Sequence, residues 1–100
     1  MPEYIENRKE IISQYWELKK KHPDAVLLFR NGDFYEALFD DARDLSKILD
    51  LNLVQSDVLG KNKIHPLVGF PHHTLDMYLS RIVRAGRRVA ICEQLISPKS

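Results

Sequence analysis

The stretch AVLLFRNGDFYEALF, residues 25 to 39, constrains the fold of this chain more than any other segment. Its first five residues form a continuous apolar run, which is too short for a helix and is typical of a buried strand. The Asn31-Gly32 pair that follows can supply the positive φ angles of a tight reversing turn. The stretch therefore predicts a hairpin of two strands, residues 25 to 29 and 34 to 39.

The second strand of this hairpin places an aromatic ring and a carboxylate directly after the turn. Because side chains alternate along a strand, one face carries Phe34, Glu36 and Leu38, and the other carries Tyr35, Ala37 and Phe39. Spacing alone fits an ordinary core residue at Phe34 and a solvated carboxylate at Glu36. A strand leaving such a turn normally hides its aromatic residues, so the role of Phe34 and Glu36 needs a further explanation.

Apolar residues at helical spacing predict three helices. The first covers residues 3 to 21 and ends before Pro23, and the second begins at Asp40 or Asp41. The third follows Thr74, which can cap it, and ends near Gly86. The apolar stripes of the second and third helices are Ala42, Leu45, Ile48 and Leu49, and Leu75, Tyr78, Leu79, Ile82 and Val83.

Three further strands are predicted, at residues 51 to 54, 64 to 70 and 88 to 94. Pro66 interrupts the middle one, which we therefore expect at a sheet edge. In the last one we expect Val89, Ile91 and Cys92 to be buried. Strands mixed with helices indicate an α/β (α+β) fold, with residues 1 to 100 as a single domain whose mixed β-sheet is flanked by helices.

Composition sets the class of protein. The chain has 100 residues, of which 44% are apolar, enough for one core. A single cysteine excludes an intramolecular disulfide, and no stretch reaches the roughly 18 apolar residues of a membrane span. The start, MPEYIENRKE, is too charged for a signal peptide. We therefore expect a soluble, cytoplasmic protein.

Patterns typical of enzymes are weak. Asp33 and Glu36 cannot share a face of an extended strand, so they make a poor acid/base pair. His65, His72 and His73 could approach a metal together with Cys92, but their positions match no known ligand spacing. The glycines form no nucleotide-binding motif. We expect no catalytic residue, no metal and no cofactor, and interpret the chain as a protein without enzymatic activity.

Positive charge is concentrated in the second half of the chain. Residues 51 to 100 hold seven basic and three acidic side chains, whereas residues 1 to 50 hold eight basic and eleven acidic ones. Arg81 and Arg84 lie one turn apart on the third helix, and Lys61 and Lys63 lie in a polar loop. Such side chains can contact phosphates without reading a base sequence, although ordinary solubilising charge also explains them.

Four segments carry a family resemblance: HPDAVLLFRNGDFYEALFDDA, ILDLNL, LVGFPHHTLDMYLSRIV and RVAICEQL. They resemble the N-terminal mismatch-recognition domain of the MutS family of DNA mismatch repair proteins. The likeness covers about residues 12 to 98, in the order of the family, and its GDFYE core is highly specific. It implies a mixed β-sheet flanked by helices.

The resemblance also implies a function and a site. In the family, the residues that match Phe34 and Glu36 touch a mispaired base. A mispaired step stacks poorly, so inserting a ring there costs less than in a paired duplex. Glu36 can accept a hydrogen bond from a base edge, or donate one if protonated, while its charge otherwise opposes binding to phosphates. The implied partner is mismatched or distorted double-stranded DNA, and the expected contacts to its backbone are Lys61, Lys63, His72, His73, Arg81 and Arg84.

Two departures from the family pattern bear on the function. Asn31 stands where family members usually have Met, so we expect different packing beside Phe34. The connector, core, clamp and ATPase regions of the family do not match any part of these 100 residues, and ATP hydrolysis is not expected from them. An alternative function is a protein-interaction or adaptor module that keeps the fold without recognising mismatches.

Overall fold

A five-stranded mixed sheet with helices on both faces forms the domain. The computed structural model describes residues 3 to 93, and side chains from residue 6 onward. The elements are α1 (Glu3–Lys21), β1 (Ala25–Asn31), β2 (Phe34–Leu38), α2 (Phe39–Leu49), β3 (Val54–Ser56), β4 (His65–Pro71), α3 (Leu75–Arg84) and β5 (Arg88–Cys92). Short 3-10 turns at Lys61–Lys63 and His72–Thr74 precede β4 and α3. The predicted fold class is confirmed.

The strand order is β3-β4-β2-β1-β5, which the sequence did not predict. β1 pairs with β2 as an antiparallel hairpin and with β5 in parallel, so the sheet is mixed as expected. β4 runs antiparallel to both of its neighbours. The hairpin strands therefore lie in the middle of the sheet, and the turn between them projects from one end of it.

Each face of the sheet has its own core because neighbouring side chains of a strand point to opposite sides. The face covered by α2 and α3 buries Val26, Leu28, Tyr35, Ala37, Ala42, Leu45, Leu49, Val68, Phe70 and Ile82. The face covered by α1, called the α1 face below, buries Ile11, Ile12, Tyr15, Leu27, Phe29, Leu38 and Leu67. β1 contributes to both cores, which explains its continuous apolar run. Within residues 3 to 93, the helices lack the length and apolar composition that crossing a membrane requires.

The reversing turn lies one residue later than predicted. Asn31 is the last residue of β1 and pairs with Phe34, so the two turn residues are Gly32 and Asp33. Gly32 has a φ of 62°, whereas Asn31 is extended and buried in the sheet. Glycine adopts this φ without steric cost, so the single positive angle falls where the chain has no Cβ.

Phe39 packs on the opposite side from the one predicted. It begins α2 with a φ of 59°, a left-handed conformation that is uncommon for a residue with a side chain. This backbone twist ends the alternation of β2 and directs the ring to the α1 face. There its centroid lies 5.0 Å from that of Tyr15 and 5.2 Å from that of Trp16. Aromatic contacts thus accompany the strained backbone.

The prediction that Pro66 marks an edge strand is wrong. β4 lies between β3 and β2, and Pro66 pairs with Gln55 of β3. On its other side, pairing with β2 stops at Leu67 because the next residue after Leu38 already starts α2. Proline is tolerated here since it lies just beyond the end of one ladder. The short strand predicted at residues 51 to 54 also shifts, to Val54–Ser56.

Several apolar residues near the end of the described chain are more exposed than predicted. Ile91 is 41% exposed, because β5 is an edge strand among the described residues, while Val89 and Cys92 are partly buried. Val83 is also exposed and does not belong to the apolar face of α3.

Thr74 precedes α3 as predicted, but its hydroxyl donates to the carbonyl of Pro71 at 2.7 Å instead of capping the helix. Residue 94, the end of the predicted last strand, lies outside the described residues.

Candidate functional site

The hairpin turn and the segment after β4 form one end of the sheet. The backbone N–H of His72 donates to the carbonyl of Asp33 at 2.7 Å, which fastens the turn between β4 and α3 to the hairpin. Phe34 pairs with Pro71 in the same region. Residues from both segments therefore meet at the hairpin tip, and this group of residues, 31 to 36 and 69 to 73, is called the tip site below.

Phe34 is the exposed aromatic residue of the tip site. Its exposed fraction is 45%, whereas the next residue, Tyr35, is only 6% exposed and packs near Phe70 with the ring centroids 6.1 Å apart. The alternation of the strand sends Tyr35 to the core beneath α2 and α3, and sends Phe34 to the other side. The Phe34 ring is thus available to a partner while its neighbour stabilises the sheet.

Glu36 is buried and held by two side chains. Arg8 of α1 donates from Nε to Oε1 at 3.0 Å and from Nη2 to Oε2 at 2.6 Å. Asn31 donates from Nδ2 to Oε1 at 3.2 Å. Burying a carboxylate is costly unless it is paired and hydrogen-bonded, and these three bonds meet that requirement. The packing expected to differ at Asn31 is therefore a polar contact to the carboxylate of Glu36.

Phe34 and Glu36 lie on the same face of β2, as the alternation predicted. Glu36 contacts Arg8 from α1, and Leu38, two residues further on, belongs to the core of the α1 face. Gly69 of β4 pairs with Glu36 and leaves space beside both side chains. A Cβ on Gly69 would lie 3.5 Å from Cγ of Glu36 and 3.7 Å from Cδ2 of Phe34. The glycine keeps the surface open between the ring and the carboxylate.

The predicted backbone contacts do not gather at one place. His72 and His73 belong to the tip site, where both are exposed and their ring centroids lie 6.3 Å apart. Lys61 and Lys63 precede β4, whose seven residues span about 20 Å, so they lie at the far end of that strand. The two histidines therefore lie in the segment that is fastened to the hairpin, and the two lysines lie away from it.

Arg81 and Arg84 lie on α3, which packs on the face of the sheet opposite to Glu36. Arg81 donates to the carbonyl of Ile48 at 3.3 Å, and its guanidinium carbon lies 5.9 Å from the centroid of the Tyr78 ring. Arg84 is exposed at the end of the helix. These two arginines form a separate basic surface.

Two arginines of this region were missed from sequence. Arg8 lies three, four and seven residues before Ile11, Ile12 and Tyr15, which places a charge on the apolar stripe of α1. That position is a usable signal, because a charge facing a core requires a partner. Arg30 lies beside the turn, where its guanidinium carbon is 5.7 Å from the centroid of the Tyr35 ring and its Nε donates to the carbonyl of Gly32 at 2.6 Å.

The residues considered for metal binding or nucleophilic chemistry lie apart. His65 is buried against Phe39, with the ring centroids 5.3 Å apart, at the end of β4 away from His72. The described residues contain no group of three His, Cys, Asp or Glu side chains arranged to hold a metal ion. Burial, followed by the charge of Glu93, raises the pKa of the Cys92 thiol, which disfavours the reactive thiolate.

A second buried carboxylate joins three elements of the fold away from the tip site. Asp41 of α2 accepts hydrogen bonds from the Tyr15 hydroxyl at 3.0 Å, from Lys19 Nζ at 2.9 Å and from the backbone N–H of Leu27 at 3.1 Å. Burial, and then the charge of Asp41, raises the pKa of Tyr15. Asp41 thus fastens α1 and β1 to the start of α2, away from the hairpin tip.

Comparison with known proteins shows a family match over most of this chain. The family model described as MutS domain I matches residues 9 to 100. The proteins named DNA mismatch repair protein MutS from Porphyromonas gingivalis and from Bacteroides thetaiotaomicron are each 53% identical over 89 residues, which cover 89% of this chain and 10% of theirs. The protein of the same name from Flavobacterium johnsoniae is 47% identical over 97 residues, which cover 97% of this chain and 11% of its own.

The chain thus spans about a tenth of the length of the curated relatives it matches. The range matched by the family model includes the hairpin with Phe34 and the segment after β4 that is fastened to it. The family model covers more than nine tenths of the chain. The chain belongs to the MutS domain I family, whose relatives are DNA mismatch repair proteins.

Proposed function

We propose that this domain binds double-stranded DNA at mispaired or distorted steps, with Phe34 as an inserted wedge and Glu36 as a contact to a base. The observation that carries the proposal is the 45% exposed ring of Phe34 at the tip of the hairpin. The ring belongs to the central strand of the sheet, so the fold holds it at the hairpin tip, where a partner can reach it. The domain acts by binding alone and has no catalytic residue in this proposal.

The physical basis of the selectivity is the cost of opening a base step. Wedging an apolar side chain between bases costs a few kcal/mol of stacking in paired DNA. A mispaired step has already lost part of that stacking and is easier to kink, so the same insertion costs less there. The Phe34 ring is exposed at the hairpin tip, where it can be inserted into a base step. The difference in insertion cost between paired and mispaired steps then becomes a difference in affinity.

Glu36 supports the same interpretation from the neighbouring position. It lies two residues from Phe34 on the same face of β2, about 7 Å away along the strand. Both side chains lie beside Gly69 of β4, which has no side chain to cover them. A base edge beside an inserted ring would therefore lie within reach of the carboxylate, whose charge would be opposed by phosphates unless a base donor satisfied it.

The remaining contacts are to the DNA backbone and carry no sequence information. In this proposal His72 and His73 contact phosphates beside the wedge, since they share the tip site. Lys61, Lys63, Arg81 and Arg84 would contact phosphates only where the duplex extends past the tip. With three to five such contacts, the logarithm of the affinity should fall with the logarithm of salt at a slope of about −3 to −4.

In a longer protein, this domain would provide the mismatch contact of DNA mismatch repair in the cytoplasm. The relatives that carry the name DNA mismatch repair protein MutS are about ten times longer than this chain. ATP hydrolysis and the closing of a clamp on DNA would then belong to other parts of such a protein.

The experiment that tests the proposal is an NMR titration of the ¹⁵N-labelled chain with two hairpin duplexes that differ in one G·T mispair. We expect shifts at the tip site to saturate earlier with the mispaired duplex, and a dissociation constant near 10⁻⁴ M or weaker for the paired one at physiological salt. Equal affinities would favour the adaptor function. Submicromolar binding that does not depend on salt would contradict the role of phosphate contacts.

A further inference from the structure

The hydrogen bonds that Glu36 accepts within the domain determine how it can contact a base. Arg8 and Glu36 are 28 residues apart and form a two-point ion pair between α1 and the centre of the sheet. Their side chains are only 16% and 8% exposed. Such a forked pair fixes both the position and the rotation of the carboxylate, which a single contact would not do.

The number of unused lone pairs on Glu36 determines how many further hydrogen bonds its carboxylate can accept. A carboxylate has about four acceptor sites, two on each oxygen. Oε1 accepts from Arg8 and from Asn31, and both of its sites are therefore used. Oε2 accepts from Arg8 at 2.6 Å, and within the described residues no second donor reaches it. One acceptor site remains, on Oε2.

The surroundings define what can fill that site. Gly69, the residue opposite Glu36, is exposed and has no side chain to cover the carboxylate. Phe34 borders the same opening, since a Cβ on Gly69 would lie 3.7 Å from its ring. A group that enters beside the Phe34 ring and carries an N–H donor would complete the hydrogen bonds of Glu36. A group that carries only acceptors could not form a hydrogen bond with the carboxylate.

The charge of Arg8 also affects how the Glu36 carboxylate interacts with DNA phosphates. Glu36 alone would repel nearby phosphates, but a guanidinium at hydrogen-bond distance offsets that charge locally. Arg8 therefore lowers the cost of placing a carboxylate against DNA and leaves its selectivity in place.

We propose that Arg8 is a positioning residue for mismatch recognition: it holds Glu36 so that a single acceptor site, on Oε2, is offered to an N–H donor of a mispaired base. This inference rests on the proposed function. It predicts that losing the forked geometry of Arg8, with its charge kept, reduces discrimination through Glu36 and has little effect on the affinity for paired DNA.

The test compares the ratio of dissociation constants, paired over mispaired, among matched variants by NMR titration. Arg8→Lys keeps the charge but loses the forked geometry. Glu36→Gln removes the charged acceptor. In the double variant Arg8→Gln with Glu36→Gln, neither charge remains, so the fold is not burdened with an unpaired buried charge. Arg43→Gln is the control, since Arg43 forms an exposed pair with Asp40 on α2.

We expect Arg8→Lys and Glu36→Gln to lower the ratio by a similar factor, about tenfold for one charge-assisted hydrogen bond. The double variant should lose no more than Glu36→Gln alone, and Arg43→Gln should change nothing. The Nε–H signal of Arg8 should stay in place when mispaired duplex is added, because the ion pair persists in the complex. Thermal melting of each variant identifies losses that come from unfolding.

Three results would overturn the inference. Arg8→Lys could keep the ratio within about twofold of the original while Glu36→Gln loses it. The double variant could lose clearly more than Glu36→Gln alone, which would mean that Arg8 contacts DNA independently. The Nε–H signal of Arg8 could disappear on binding, which would mean that the pair opens. If the unmodified chain shows no preference for the mispaired duplex, the proposed function itself fails, and that result is distinct from these three.

Discussion

Truncation of Phe34 to alanine separates a wedge from a core residue. A fully buried Phe side chain contributes about 1.5–3 kcal/mol by burial, and its removal from a packed core costs about 3–5 kcal/mol. Phe34 is 45% exposed, so little more than half of that burial is at stake and no closed cavity forms. We therefore expect Phe34→Ala to lower the free energy of unfolding by about 1 kcal/mol.

The expected change in melting temperature follows from that figure. For a domain of this size, 1 kcal/mol corresponds to about 4–8 °C. The matched control is Phe70→Ala, because Phe70 is 2% exposed and pairs with Tyr35 in the neighbouring strand. Loss of that ring should cost about 3–5 kcal/mol and unfold much of a marginally stable domain. Differential scanning calorimetry or thermal circular dichroism distinguishes the two variants directly.

Phe34→Ala should affect DNA binding strongly although it affects stability little. Stacking of a base on an aromatic side chain contributes about 1–3 kcal/mol, so Phe34→Ala should reduce affinity for the mispaired duplex by about 5-fold to 150-fold. Affinity for the paired duplex should change little, because the ring is not inserted there. The assignment of Phe34 as a wedge is wrong if the variant still prefers the mispaired duplex, or if it loses as much stability as Phe70→Ala.

Three further variants test other parts of the molecule. The double variant Arg81→Ala with Arg84→Ala should weaken binding of paired and mispaired duplexes by about the same factor, measured by titration at two salt concentrations; unchanged binding would make both arginines solubilising residues. Asp41→Ala should destabilise the fold by about 3 kcal/mol, because it leaves buried donors unpaired. Asp40→Ala should cost less than about 1 kcal/mol, since the side chain of Asp40 is 93% exposed; equal losses in urea denaturation would refute this distinction.

The hairpin was predictable because its signals are local. An apolar run, a turn with glycine and an alternating strand occupy 15 consecutive residues, and α2 follows at once with acidic residues in its first turn. The position of Phe34 outside the core was not derivable from spacing, which fits a buried ring equally well. The exposed fraction in the folded chain makes that distinction.

The strand order and the contacts of Glu36 were not predictable for a common reason. Both depend on residues far apart in the chain: β1 pairs with β5, 63 residues later, and Glu36 pairs with Arg8, 28 residues earlier. Hydropathy patterns carry no information about pairings between residues so far apart. The face of Phe39 was missed for a different reason, because one positive φ angle reverses the alternation that the pattern assumes.

The parallel pairing of β1 with β5 has a consequence for how the chain folds as it is synthesised. The hairpin and α1 are complete once residue 38 has emerged, but the second edge of β1 stays unpaired until residues 88 to 92 arrive. Contacts of such long separation form slowly. During that interval the nascent chain exposes the backbone of AVLLF, an apolar strand edge without a charged residue, which is a template for pairing with another chain. Ribosome pausing between residues 40 and 88 should therefore favour aggregation, and a chaperone that covers β1 should relieve it.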